Sequence, residues 1–311
     1  MTETAIKTTD LTKEFRGLRA VDGLCLEVPR GIVFGFLGPN GAGKTTTIRL
    51  LLGLLEPTAG RAEVLGFDTR VRAGEIRARA GALLEHDGLY ERLSAEDNLE
   101  FYARIWRLPP RARRDRIKEV LTHFGLWERR RERVGTWSRG MKRKLAVARA
   151  VLHRPPLVFL DEPTAGLDPV AAASLREDLQ ALAAREGATV FLTTHNLGEA
   201  EKICARVGVI HKGRLLAVGS PEELKARGGG ERLEIAGRGL DERVAALLTA
   251  REDVLAATRS EGHLVLELRP GADQAPLVRA LVEAGAEVEE VRKTRASLEE
   301  VFLTLVEEER R

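Results

Sequence analysis

The residues best suited to chemistry in this 311-residue chain include a glycine-rich run, GPNGAGKTT, between an apolar stretch and a helical pattern. Glycines let successive backbone N–H groups turn inward around phosphate oxygens, and the following helix offers the positive end of its dipole. Lys44 can reach the terminal phosphates as a catalytic residue, and the Thr45 hydroxyl can bind Mg²⁺. The run therefore predicts a phosphate-binding loop. Its predicted nucleotide contacts are Gly38, Pro39, Asn40, Gly41, Ala42, Gly43, Lys44, Thr45 and Thr46.

A second candidate is the pair of carboxylates that ends the apolar run LVFLDE. Asp161, at the end of a strand, suits Mg²⁺ held through water, as the acidic partner of a phosphate-binding loop does. Glu162 beside it could accept a proton from an attacking water or hold that water in line. Acidic residues after a strand are often helix caps, but the upstream loop disfavours that interpretation. The pair therefore predicts a metal ligand and a catalytic carboxylate.

Together these segments resemble the nucleotide-binding domain of ABC transporters. WSRGM, followed by a helical pattern, lies where that family has its signature, usually LSGGQ. The resemblance implies that Ser138 and Gly140 contact the γ-phosphate of ATP held by the opposite protomer, and a helix N-terminus with a hydroxyl suits an anion. PTAGLD resembles the loop that communicates across the dimer through Asp168.

Two further residues match the family because of where they lie in the order of these segments along the chain. A lone histidine is more often a surface or core residue, but His195, in TTH, resembles the switch histidine that senses the γ-phosphate. Phe15, which in isolation would be a core residue, matches the aromatic side chain that stacks on adenine. The resemblance covers roughly residues 6–226. The order of the segments is more specific for this family than any one segment is.

Two positions depart from the family pattern. Glu85 stands where the family usually has Gln at the end of a strand. Our hypothesis is that Glu85 keeps a metal-sensing role towards Mg²⁺; the alternative is a one-position shift in alignment that leaves Glu85 on the surface. Arg139 replaces the first glycine of the signature, where its guanidinium could attract the partner's phosphates or point to solvent. Both interpretations stay open at this point.

The elements that must position these residues follow an α/β pattern. Continuous apolar runs predict strands of a parallel sheet covered on both faces, and helical periodicity predicts an insertion at residues 96–134 followed by a helix at 141–152. The predicted fold is α/β, a RecA-like P-loop NTPase core with a helical subdomain at about residues 91–153. The predicted strands are residues 32–37, 62–65, 80–84, 157–160, 189–193 and 207–210.

The pattern restarts after three glycines at residues 228–230, which predict a domain boundary. We expect an ABC nucleotide-binding domain at residues 1–227 and a small C-terminal α+β accessory domain, ferredoxin-like in topology, at 231–311. SLEEVFLTL resembles the tail of the daunorubicin-resistance-type ATP-binding family, in which one ATPase pairs with a small permease. Its apolar stripe favours core packing, with contact to a second copy as the alternative. The stripe consists of Leu298, Val301, Phe302 and Leu305.

Composition narrows the function classes. The formal net charge of +3 gives no reason to expect a nucleic-acid partner. Arginines cluster at residues 111–116 and 129–133, where a solvated helix face is favoured over a docking surface. Cys25 and Cys204 are predicted to be reduced, buried thiols in a reducing compartment. No apolar run approaches the roughly 18 residues that a membrane helix needs, so another chain must supply any membrane passage.

Each motif occurs once, so one chain carries half of two composite sites, and the resemblance implies a head-to-tail homodimer around two ATP molecules. It further implies an Mg²⁺-dependent ATPase that powers export through a separate multispanning permease, at the cytoplasmic face of the cell membrane. Residues 91–133 are the expected docking face for the permease.

One alternative function is that of a soluble ABC ATPase acting on nucleic acid or ribosomes. It is disfavoured because the chain has neither a second cassette nor long heptad runs. A nucleotide sensor without turnover is disfavoured by Glu162 and His195.

Overall fold

A computed structural model describes residues 3–227, 232–260, 262–269, 271–294 and 297–309. The chain folds into two compact units, one up to Ser220 and one from Pro221 onward. This division precedes the glycines at residues 228–230, where the boundary was predicted and which lie outside the described residues. Within the described ranges, no helix has the length and apolar character needed to cross a bilayer.

An antiparallel sheet begins the first unit, and of its strands only residues 62–65 were predicted; that run lies in this sheet and not in the parallel core. The sheet consists of β1 (Thr4–Phe15), β2 (Leu18–Pro29), β4 (Ala59–Val64) and β5 (Phe67–Asp68). The strand order is β2-β1-β4-β5. Along β2, buried Leu24, Leu26 and Val28 alternate with exposed residues, which is typical of a sheet with one face against the core.

The second sheet is the parallel core, and the predicted RecA-like α/β fold is confirmed. It consists of β3 (Val33–Leu37), β6 (Ala80–Leu83), β7 (Leu157–Asp161), β8 (Thr189–Thr194), β9 (Arg206–His211) and β10 (Arg214–Gly219). The strand order is β10-β9-β3-β8-β7-β6, with β10 alone antiparallel among these described strands. Every residue of β3, β7 and β8 is buried. These three neighbours end at the same edge, so the loops that follow them converge there.

Helices cover this core and form the predicted helical insertion. The core helices are α1 (Lys44–Leu51), α2 (Ala73–Arg79), α6 (Pro169–Glu186) and α7 (Leu197–Ile203). The insertion between β6 and β7 contains α3 (Ala95–Ile105), α4 (Pro110–His123), α5 (Arg139–Val151) and two 3₁₀ turns, Trp127–Arg129 and Val134–Thr136. Ser94 caps α3 by accepting a hydrogen bond from the Asp97 N–H, because the first turn of a helix leaves N–H groups without intrahelical partners.

One arginine of the basic cluster at residues 111–116 is buried, so the prediction of a solvated face is wrong for it. Arg116, 6% exposed, donates from Nε to the Leu152 carbonyl at 3.0 Å and from Nη2 to the Val151 carbonyl at 2.7 Å. Its Nη1 pairs with Glu186 at 2.7 Å. The guanidinium can be buried because its N–H groups bind two carbonyl oxygens at the end of α5 and a carboxylate of α6. These bonds offset the free energy lost when the charge is removed from water.

The second unit begins with α8 (Pro221–Arg227), and a ferredoxin-like α+β arrangement follows. The order is β11 (Arg232–Arg238), α9 (Glu242–Thr249), β12 (Val254–Ser260), β13 (His263–Leu268), α10 (Ala275–Glu283), β14 (Glu287–Thr294) and α11 (Leu298–Glu309). The antiparallel sheet has the order β12-β13-β11-β14. Within α11, Leu298 and Val301 are buried, and α11 packs against α8. The predicted α+β fold is confirmed, and these two stripe residues pack within their own unit.

The two cysteines differ in burial. Cys204 is buried, and burial raises the pKa of its thiol to about 12. Cys25 is exposed because it occupies an outward position in the alternation of β2. The prediction of two buried thiols is therefore wrong for Cys25.

Candidate nucleotide site

The glycine-rich loop joins the end of β3 to the start of α1, as its local sequence predicts. Gly43, at φ 105°, occupies the cap of α1, and a Cβ there would lie 2.3 Å from the Ala20 carbonyl oxygen. A Cβ on Gly38 would lie 2.3 Å from the Ile210 carbonyl oxygen. Only glycine fits such approaches, so the loop packs tightly against its neighbours while its outer side stays open. The resulting groove is lined by Ala20, Pro39, Asn40, Gly41, Gly43, Lys44, Thr45, Thr46 and Glu162.

Lys44 lies in this groove with only 6% of its surface exposed. Its Nζ donates to the carbonyl oxygens of Gly38 at 2.6 Å and Pro39 at 3.2 Å. It also pairs with the Glu162 carboxylate at 3.0 Å. A buried ammonium needs such partners, and each of them is an oxygen that a phosphate oxygen can replace.

The end of β7 supplies a buried carboxylate beside the start of α1. Asp161 is 5% exposed, accepts from the Thr45 hydroxyl at 2.6 Å and accepts from the Thr193 hydroxyl at 2.5 Å. A hydroxyl and a carboxylate side by side form the hard oxygen set that Mg²⁺ prefers. The donor set at Thr45 and Asp161 therefore fits the predicted metal.

Glu162 brings the three predicted catalytic residues together. Besides its pair with Lys44, its carboxylate lies 2.9 Å from Nδ1 of His195. Its backbone N–H donates to the Thr193 hydroxyl at 3.0 Å, and its carbonyl accepts from Arg143 at 3.0 Å. The carboxylate thus lies between a cation and an imidazole at the edge of the groove, where a general base or a water-orienting group would act.

The predicted cross-protomer residues lie at two helix N-termini. Ser138 caps α5 by accepting from the Met141 N–H at 3.3 Å, and Asp168 caps α6 by accepting from the Ala171 N–H at 2.9 Å. Gly140 packs close to α6, because a Cβ there would lie 3.0 Å from the Ala171 Cβ. None of these residues is among those that line the groove at Lys44 in the described chain.

Arg139, the departure within the signature, lies against the loop that precedes α6. A Cβ on Gly166 would lie 2.3 Å from its Nη1 atom. This contact within the chain is a third arrangement, beside the two left open by the sequence.

Phe15 and Glu85 occupy the margins of the site. Phe15 ends β1 and is 42% exposed, with the Lys13 Nζ 5.1 Å from its ring centroid. Its hairpin continues into β2, which contributes Ala20 to the groove. The Glu85 side chain is 54% exposed and pairs with Arg49 of α1 at 2.9 Å. Its carboxylate is therefore held by an arginine one helical turn beyond Thr45 on α1.

Two residues of the site were not singled out from the sequence. Thr193, the first residue of TTH, binds both Asp161 and the Glu162 backbone. Arg143 contacts the Glu162 carbonyl and Asp87. The position of Thr193 between strand and histidine was an available signal, whereas Arg143 is one basic residue among several in KRK.

Comparison with known proteins identifies the family. Residues 21–165 match the ABC transporter family, and residues 219–306 match the C-terminal domain of DrrA1-3-like ATP-binding proteins. The chain is 41% identical to daunorubicin resistance ATP-binding protein DrrA3 of Streptomyces coeruleorubidus, over 100% of this chain and 98% of that one. It is 38% identical to bacitracin transport ATP-binding protein BcrA of Bacillus licheniformis, over 97% of each. A solved ATP-binding subunit of an ABC transporter aligns with a TM-score of 0.65 and 32% identity, over 72% of this chain and 93% of that chain. The chain therefore belongs to the ABC transporter ATP-binding proteins of the daunorubicin-resistance type.

Proposed function

We propose that this chain is the ATP-hydrolysing subunit of an exporter and that it acts at the cytoplasmic face of the cell membrane through a separate permease. The observation that carries the proposal is the Glu162 carboxylate, 3.0 Å from Lys44 and 2.9 Å from His195, beside a phosphate-binding loop. Full-length similarity to proteins named for daunorubicin resistance and bacitracin transport supports export. The alternative of an ATPase acting on nucleic acid or ribosomes gains no support from these relatives.

Hydrolysis follows from the groove. Loop N–H groups and the start of α1 bind the phosphates of ATP, and Lys44 exchanges its carbonyl partners for phosphate oxygens. Glu162 accepts a proton from a water whose oxygen attacks the γ-phosphorus, while the bond to the β–γ bridging oxygen breaks to give ADP and phosphate. His195 holds the Glu162 carboxylate in place.

Thr45 and Asp161 would hold Mg²⁺, and Glu85 is proposed as a further ligand. When bound, the cation would neutralise charge on the phosphates. The hydroxyl–carboxylate distance of 2.6 Å between Thr45 and Asp161 supports this assignment.

The remaining site residues are proposed to act between two chains. Ser138 and Asp168 sit at helix N-termini, where orphan N–H groups favour an anion. A second chain placed head to tail would bring Ser138 and Gly140 to the γ-phosphate held by Lys44. Phe15 is the proposed stacking partner of adenine.

Residues 91–133 are the proposed docking face for the permease. Leu93, Phe101 and Ile105 are 37%, 41% and 57% exposed, and Phe101 packs edge-to-face on Tyr90 with ring centroids 5.0 Å apart. Exposed apolar side chains flanked by arginines are typical of a protein interaction surface.

The test is ATP hydrolysis by the purified chain with its cognate permease in vesicles. Glu162→Gln should reduce turnover by about 10²- to 10⁴-fold, retain ATP binding and accumulate a closed dimer, detected by light scattering. Glu177→Gln, an exposed carboxylate of α6, serves as the control and should behave as wild type. The proposal fails if wild-type protein neither pairs nor hydrolyses ATP beside its permease.

A further inference from the structure

The backbone of Glu162 adopts an unfavourable conformation. Its φ is 48°, in the left-handed region where a side chain crowds the following carbonyl. Such a conformation persists only where surrounding contacts hold it. Three contacts do so: the N–H donates to the Thr193 hydroxyl at 3.0 Å, and the carbonyl accepts from Arg143 Nη2 at 3.0 Å and from the Ala165 N–H at 3.1 Å. The direction of the Glu162 carboxylate therefore depends on these backbone partners as well as on its own contacts with Lys44 and His195.

Arg143 is itself held by a third segment. Its Nη1 pairs with Asp87 at 2.8 Å, and the two side chains are 12% and 35% exposed. Asp87 lies in the loop between β6 and α3, the loop that also carries Glu85 and leads into the proposed docking face. One guanidinium thus joins the second turn of α5, the loop after β6 and the backbone of Glu162.

We infer that Arg143 is a positioning residue for Glu162 and that the Asp87–Arg143 pair makes hydrolysis depend on the position of the loop after β6. The fork of the guanidinium is needed because one edge binds Asp87 while the other binds the Glu162 carbonyl, which an ammonium cannot do in the same geometry. A permease that moves this loop on docking would shift Asp87, then Arg143, then the catalytic carboxylate. The inference rests on the proposed ATPase function for its reaction.

A neighbouring ion pair supplies a matched control. Lys142, the residue before Arg143 on α5, pairs with Glu91 of the same loop at 2.6 Å, with side chains 22% and 63% exposed. This pair connects the same two segments as Asp87 and Arg143. Among the described residues, the Lys142 ammonium pairs with Glu91 alone, so removing it loosens the connection but keeps the bond from Arg143 to the Glu162 carbonyl.

The experiment measures ATP hydrolysis by the chain together with its permease, with Lys142→Met as the control. The test variants are Arg143→Met, Arg143→Lys, Asp87→Asn and the double variant Asp87→Asn/Arg143→Met. Arg143→Met should lower kcat about 10- to 100-fold, as expected for a misdirected catalytic group, with the Kd for ATP unchanged within about twofold. Arg143→Lys should not restore kcat. The double variant should be no slower than Arg143→Met, because both changes break one chain of contacts.

Amide hydrogen exchange of the peptide spanning residues 157–168, measured without nucleotide, provides a readout independent of turnover. Exchange at Glu162 and the residues after it should rise in Arg143→Met and Asp87→Asn and stay at the wild-type rate in Lys142→Met. The inference is overturned if Arg143→Met slows turnover no more than Lys142→Met, if Arg143→Lys is fully active, or if Kd rises as much as kcat falls. Wild-type protein that fails to hydrolyse ATP would instead overturn the proposed function. If Arg143→Met does not fold, Asp87→Asn alone tests the inference. A lower kcat with faster exchange would support it, and wild-type values of both would overturn it.

Discussion

The two units of the chain bury different kinds of side chain. In the first unit, Lys44, Arg116 and Asp161 are each at most 6% exposed, whereas the buried side chains of the described second unit are all apolar. Burying a charge is costly unless partners satisfy it, and each of these three charges has such partners. The difference indicates that the first unit is organised around a polar site, while the second is organised around packing.

This contrast predicts where single substitutions act. In the first unit they should change nucleotide binding and turnover, and in the second unit they should change stability. Four variants test the contrast, from the largest expected effect to the smallest.

Leu266→Ala should lower the unfolding free energy of the C-terminal unit by about 2–5 kcal/mol, because it leaves a cavity at a fully buried leucine. Hydrogen exchange of peptides within residues 232–268 measures the loss. All three tryptophans, Trp106, Trp127 and Trp137, lie in the first unit, so their fluorescence should keep its wild-type unfolding midpoint. Leu303→Ala, at a leucine 56% exposed, is the control. An equal loss in both units would break the contrast.

Lys44→Ala should weaken ATP binding by about 10- to 100-fold, because charge-assisted hydrogen bonds to phosphate contribute ~1.5–3 kcal/mol. Calorimetric titration with ATP measures the affinity. The control variant Lys142→Ala should bind ATP as tightly as the wild-type protein does. Unchanged ATP affinity in Lys44→Ala would contradict the phosphate-loop assignment.

His195→Ala should lower kcat about tenfold and leave ATP affinity within about twofold, because the imidazole orients Glu162 rather than forming the main phosphate contact. Steady-state hydrolysis and ATP titration together separate the two quantities. His86→Ala, at an exposed histidine, should change neither. Equal losses of binding and turnover would favour a purely structural role.

Glu85→Gln should raise the Mg²⁺ concentration for half-maximal hydrolysis by about two- to fivefold, a small effect because the Glu85 side chain is 54% exposed and water screens its attraction to the cation. Arg49→Gln removes the same ion pair but keeps the carboxylate, and it should leave the Mg²⁺ requirement at its wild-type value. A Glu85→Gln variant with unaltered Mg²⁺ dependence would remove Glu85 from the metal site.

The features predicted well from the sequence are continuous in the chain. The glycine loop, the LVFLDE strand and the parallel core each follow from a local run of residues, and they converge because parallel strands end at one edge. Most of the named nucleotide contacts lie in that single loop. Local signals were therefore sufficient for the fold class of the core and for the position of its central loop.

What was missed depends on contacts between distant segments. Arg143 is 56 residues from Asp87, and Arg116 is 70 residues from Glu186, so neither role can be inferred from a basic helix alone. Strand β1 of the first antiparallel sheet was missed for a different reason. Irregular pairing around Leu11 and the left-handed residue Asp10, φ 47°, interrupt the alternation of β1, which obscures the two-residue period that predicts a strand.

The unequal burial of the two cysteines makes the natural chain convenient for optical work. The thiolate is the species that attacks maleimides, and with a pKa of about 12 the Cys204 thiol has almost none at neutral pH. A maleimide dye should therefore label the exposed Cys25 and leave Cys204 unlabelled. Each chain would then carry one dye without any mutagenesis. Mixing donor-labelled and acceptor-labelled protein would then follow the approach of two copies by energy transfer in real time.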